Sequence, residues 1–162
     1  MTPGFSKVNI GVEDVVKVLC ALSLRHQVNS EVECILIGMR SEHGSYRVSL
    51  IPDGFRVNMI AYLDCYLDRD KHSSLLWKML EANKGTFAVF AIDGDDEVLF
   101  LRKLEYPTAF DSEHFACALA VFFKEAEKSL FLLRKGMYAS EEVNDEELIR
   151  ILKKHSGGGG DA

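Results

Sequence analysis

The chain has 162 residues, 48% hydrophobic and 27% charged, which suits one ordinary domain with a sizeable core and excludes wholesale disorder. A formal net charge of −6 with scattered Lys and Arg argues against a surface that tracks phosphates, so no nucleic-acid partner is expected. No apolar run approaches the ~20 residues of a membrane span, no signal peptide is visible, and Cys20, Cys34, Cys65 and Cys117 form no C-x-x-C pair, so the chain reads as cytoplasmic with reduced core thiols.

Residues 1–10 read as a loose arm. From Val12 to His26, Val12, Val15, Val16, Leu19 and Leu22 recur at helical spacing, with Glu13 and Asp14 in the first turn and Arg25 in the last complementing the dipole. Short apolar or alternating runs at 34–39 and 46–51 predict two strands joined by a hairpin loop over 41–45, and Pro52-Asp53-Gly54 predicts the next turn. Residues 56–67 then alternate. Val57, Met59, Ala61, Leu63, Cys65 and Leu67 share one face, while Arg56, Asn58, Ile60, Tyr62, Asp64 and Tyr66 share the other. That second face is mixed rather than polar, so either a helix covers it or it meets a partner.

Ser73 or Ser74 is placed to cap a second helix, with Leu76, Leu80 and Asn83 on one stripe, Leu75 and Met79 beside it, and Asn83-Lys84-Gly85 as the stop. Two strands follow, 86–92 and 97–104. Asp111 is placed to cap a long helix, Phe110 and Phe115 stand at staple spacing, and Phe115, Leu119, Phe122, Ala126, Leu130 and Leu133 run down one face to Gly136. A short terminal helix over 144–155 has a thin stripe of Leu148, Ile151 and Leu152, and residues 156–162 are a Gly-rich tail. The predicted order is α-β-β-β-α-β-β-α plus that terminal helix: an α+β domain over 11–136 with a mainly antiparallel five-stranded sheet, and 137–155 as an addition.

The acidic cluster Asp93 to Glu97 raises the question of chemistry. Read as a calcium loop from Asp93, its sixth position is Val98 and its twelfth Leu104, where Gly and Glu are required. Asp-Gly between alternating apolar runs is instead a hairpin signal, and its carboxylates read as a solvated tip. No nucleotide-binding, nucleophile-elbow or H-E-x-x-H motif occurs. His26, His43, His72, His114 and His155 are dispersed, so no metal, no cofactor and no catalytic residue is expected, although a triad drawn from distant residues stays open. What exceeds one core is apolar. Trp77 lies about 100° round from its helix stripe, and Tyr62 and Tyr66 lie on the second strand face, which points to a protein partner or to a fuller core.

The stretch "SLLWKMLEANKGTFAVFAIDGDDEVLFLRKLEYPTAFDSEHFACALAVFFKEAEK" resembles the secretion-chaperone fold shared by class I type III secretion chaperones and the YbjN-like family. The resembling features are the helix end Leu80 to Asn83, the strand Phe87 to Ile92, the acidic-Gly hairpin Asp93 to Asp96, the strand Val98 to Leu104, and the long helix from Asp111; the likeness covers roughly residues 10–135. It implies a non-enzymatic homodimer that holds an unfolded segment of a secreted effector on apolar patches of the first helix (Val12, Val16) and of the sheet (Ile60, Tyr62, Tyr66). Leu76, Trp77 and Leu80 would lie at the dimer contact. A YbjN-like regulatory domain is the alternative, and a small enzyme or ligand-binding domain with an unrecognised site is a third reading.

Overall fold

The computed structural model describes residues 7–84, 88–139 and Lys153. Its elements are α1 (Val12–Ala21), β1 (Gln27–Asn29), β2 (Cys34–Ser41), β3 (Gly44–Asp53), β4 (Arg56–Tyr66), α2 (Ser73–Ala82), β5 (Val89–Ile92), β6 (Glu97–Glu105) and α3 (Ser112–Ala139). The alternation of β4 sets the organisation. Val57, Met59, Ala61, Leu63 and Cys65 are all buried, whereas the residues between them are not. The strands form one antiparallel sheet in the order β1-β2-β3-β4-β6-β5. Directly paired residues share a face, so the register carries the inward face outward from β4: Ala61 stands opposite Val48 and Phe100, and Val48 opposite Ile37.

Against that face pack α1, through Val15, Val18 and Leu19, and α3, through the six stripe residues named from its sequence, all buried in the same core. The start of α3 is built as its sequence requires. Asp111 Oδ1 accepts the His114 N–H at 3.0 Å, and the Phe110 and Phe115 rings meet at 5.6 Å. Phe100 stacks on Phe122 at 5.6 Å, joining β6 to the middle of α3. α2 leans on β5, and Asn83 fastens the two. Its side-chain amide donates to the Phe90 carbonyl at 3.0 Å and accepts the Phe90 N–H at 2.7 Å. Those are the backbone groups an edge strand leaves unpaired, so Asn83 closes this edge of the sheet.

Several expectations are corrected. The sheet has six strands rather than five, and the order is α-β-β-β-β-α-β-β-α. The extra strand exists because α1 ends at Ala21 and not at His26. Ser23 takes a left-handed φ of 56°, with Leu24 N–H bonded to Leu19 O at 2.9 Å and Ser23 N–H to Cys20 O at 3.1 Å. This is a Schellman stop with Ser where Gly is usual, and it frees residues 24–29 to reach the sheet. β3 runs on through Pro52 to Asp53, because the turn is the pair Gly54-Phe55, whose carbonyls accept from Ile10 N–H at 2.7 Å and Tyr106 N–H at 2.8 Å. The residue preceding α2 is His72, whose side chain makes no cap hydrogen bond, and Ser73 and Ser74 are already the first two residues of the helix. In α2 the inward residues are Leu75, Lys78 and Met79 rather than the Leu76/Leu80 stripe, a rotation of one position within a broad apolar arc. α3 passes Gly136 and reaches Ala139. Cys34 and Cys65 are core thiols, but Cys20 and Cys117 are exposed because each falls one residue off its helix stripe. The terminal helix over 144–155, the stop residue Gly85, and Thr86 and Phe87 of the fourth expected strand lie outside the described residues, as does the Gly-rich tail.

Candidate functional site

With both long layers packed on one face, the second face of the sheet is left without a helix among the described residues. The buried residues of all three helices belong to the core on the opposite side, while Leu36, Tyr66 and Val89 on the second face stay exposed. The register gathers apolar side chains there. Ile60 stands between Ser49 and Leu101, and Tyr62 between Arg47 and Leu99. Ile60, Tyr62 and Tyr66 therefore lie in one row along β4, as their alternation predicts.

The far end of that row is built around a buried acid. Between the pairs Tyr62–Leu99 and Tyr66–Glu97 the register shifts, and Asp64 inside the bulge adopts a φ of 52°. Glu97, only 5% exposed, accepts the Asp64 N–H at 3.0 Å and two bonds from the Arg47 guanidinium at 3.1 and 3.3 Å. Arg47 in turn lies over the Tyr62 ring at 5.1 Å. The reading of Asp93 to Glu97 as a wholly solvated tip is thus corrected for its last member. Asp93 holds the turn, its carboxylate accepting the N–H groups of Asp95 at 2.9 Å and Glu97 at 3.0 Å, and Asp96 meets Arg69 at 3.1 Å. Glu97, by contrast, anchors the bulge. Its negative charge is also the main cause that raises the phenol pKa of the exposed Tyr66.

Beyond Arg47 the same face opens into a groove of about 1000 Å³ between β2, β3 and the segment that leads from α1 to β1. Leu24, Leu36 and Tyr62 give it apolar walls, Arg25 and Arg47 stand at its sides, and Gly38 lies in its floor. A methyl group at Gly38 would meet nothing, so the glycine keeps open volume rather than permitting a close contact.

The remaining sequence candidates fall elsewhere. Val12 and Val16 lie on α1, partly buried against the core and in the layer opposite Ile60 and Tyr62, so the fold does not bring the two sets together. On α2, Leu76 is partly buried against the core, whereas Trp77 is 70% and Leu80 58% exposed. The described histidines hold local structure: His26 bonds the Leu24 carbonyl, His72 Nδ1 accepts the Asp68 N–H, His114 meets the Tyr106 hydroxyl, and His43 packs on Phe131. Among the described residues, no group of three or more His, Cys, Asp or Glu is placed to hold a metal ion, and no helix is long and apolar enough to cross a membrane.

Sequence reasoning missed Arg25, Gly38, Arg47 and Glu97. The alternation Tyr46-Arg47-Val48-Ser49 did carry a signal for Arg47, since it places that residue on the same face as Tyr62 once β3 and β4 are paired in register. No protein-family model matches the chain, and no curated protein matches it in sequence.

Proposed function

We propose that this chain is a non-enzymatic protein-binding domain that works as a type III secretion chaperone does, holding an unfolded segment of a secreted effector against the second face of its sheet. The observation that carries this reading is that face itself. A row of Ile60, Tyr62 and Tyr66, bordered by Leu36, Leu99 and Leu101, lies open beside a groove in a domain whose core is already complete on the other side. Apolar side chains of an extended segment would be withdrawn from water there, each contributing roughly 1.5–3 kcal/mol if fully buried, less the cost of ordering the segment. Such binding needs no nucleotide and no covalent step. The exposed Trp77 and Leu80 on α2 supply a second, separate apolar surface, suited to pairing two copies.

The test is co-expression with N-terminal segments of secreted proteins that are insoluble alone. A segment kept soluble by the unaltered chain, and lost with Ile60→Asp or Tyr62→Asp but not with Trp77→Glu, fits the assignment of the two surfaces. If no segment is captured or kept soluble, the chaperone reading falls. Sedimentation at micromolar concentration tests the pairing: a strict monomer contradicts it, and Trp77→Glu should convert a dimer to a monomer.

A further inference from the structure

The groove beside Tyr62 carries more than apolar surface. In a chain of net charge −6, two guanidinium groups, Arg25 and Arg47, border one groove whose lining is mixed, with Leu24, Leu36 and Tyr62 beside the polar His26, Gln27 and Ser49. Arg47 is held in place from two sides: its Nη2 is bonded to Glu97, and its guanidinium carbon lies over the Tyr62 ring. Its side chain is still 63% exposed, so it faces the groove already oriented while presenting free N–H edges. Arg25 has no ion-pair partner among the described residues. Glu97 neutralises one of the two cations, and the other is left for a ligand.

We infer that the groove takes an extended polypeptide segment in which an acidic side chain is flanked by apolar ones, the carboxylate seated between Arg25 and Arg47. This rests on the reading of the second sheet face as protein-binding and adds the chemistry of what it accepts. Two cations, one already paired with Glu97, beside the apolar Leu24, Leu36 and Tyr62 match a single carboxylate with apolar neighbours, whereas a nucleic acid would need a longer basic track. The occupant is extended rather than compact, because a second, smaller recess of about 430 Å³ shares Gln27 and Leu36 with the groove and carries it along β1; Glu31 lines that recess, so the ligand's carboxylate belongs at the arginine end and not there. In an extended chain alternate residues point to the same side. Leucines on the side facing Leu36 and Tyr62 would leave the intervening side chains at the rim, where Arg25 and Arg47 stand.

Fluorescence anisotropy with three labelled peptides tests this on the full chain: alternating Leu and Glu, the same with Gln for Glu, and the same with Lys for Glu. The Glu peptide should bind about tenfold more tightly than the Gln peptide, the scale of one charge-assisted hydrogen bond, and the Lys peptide most weakly. Arg25→Glu, at an exposed position outside any helix or strand, should reverse the order of the Glu and Lys peptides without altering thermal unfolding. Gly38→Leu, which fills the groove floor, should weaken all three. Equal binding of the Glu and Gln peptides, unmoved by Arg25→Glu, overturns the acidic preference while leaving the protein-binding face in place. Binding unaffected by Gly38→Leu overturns the groove as the seat of the segment, and no binding by any peptide overturns both.

Discussion

Glu97 is the residue whose removal separates this account most sharply from a reading of the acidic hairpin as inert. Its carboxylate is buried, receives the Asp64 N–H inside the β4 bulge and pairs with Arg47. In Glu97→Ala the Asp64 N–H loses its acceptor, a loss of about 1–3 kcal/mol. The Arg47 pair adds no more than about 1 kcal/mol, because 63% of the Arg47 side chain is exposed and solvent screens that partner. The expected total is about 1–4 kcal/mol, which in a domain of this size lowers the Tm by roughly 3–12 °C. Glu97→Gln keeps an acceptor for the Asp64 N–H and should cost about half as much. Urea unfolding of Glu97→Ala, Arg47→Ala and the double variant closes a cycle whose coupling should be about 0.5–1 kcal/mol. If Glu97→Ala shifts the urea midpoint no more than a surface substitution does, the carboxylate does not hold the bulge and the described geometry of the site's far end is wrong.

Other parts of the fold make separate predictions. Phe122→Ala removes a fully buried ring stacked on Phe100 and should cost about 3–5 kcal/mol by urea unfolding; a loss under 1 kcal/mol contradicts its central place in the core. Asn83→Ala frees both Phe90 backbone groups and should cost about 1–2 kcal/mol. The same variant should speed amide exchange at Phe90 relative to Val98 on the neighbouring strand, and unchanged exchange at Phe90 speaks against the clip. The Tyr106 phenol is pushed up to about 12, first by burial and then by the charge of Asp111. Because the folded state holds this proton more tightly than the unfolded chain, its contribution is complete below pH 10 and fades as pH rises toward 12. Burial raises the Tyr46 phenol as well, so a spectrophotometric titration should show late tyrosines whose number falls by one in Tyr106→Phe, and an early, reversible titration of all tyrosines would refute the burial.

Periodicity made much of the architecture legible. The two-residue alternation of β4 and the 3.6-residue stripe of α3 depend only on which residues avoid water, and the burial of Val57 to Cys65 and of Phe115 to Leu133 follows them closely. The end of α1 was not legible, since a left-handed stop normally announces itself with Gly and here Ser23 occupies it. That substitution hid β1 and, with it, the groove wall that carries Arg25. The inward face of α2 escaped for another reason: Leu75, Leu76, Met79 and Leu80 form a broad apolar arc, and docking on β5 decides which part is buried. Nor was Glu97 legible, because its burial depends on a bulge at Asp64 and on Arg47, residues brought to it only by strand pairing. Ile60, Tyr62 and Tyr66 were legible as a row, but whether a helix covered them was a matter of tertiary packing.

We propose that the second face of the sheet, and not the helical layer, receives an extended polypeptide. Site-specific photocrosslinking addresses it most directly, with benzoyl-phenylalanine placed at Tyr62 and, separately, at Val121, an exposed residue of α3 on the opposite side of the molecule. In the presence of a captured effector segment, the account predicts strong crosslinking from position 62 and background labelling from position 121. Equal labelling from the two positions, or stronger labelling from 121, would contradict it.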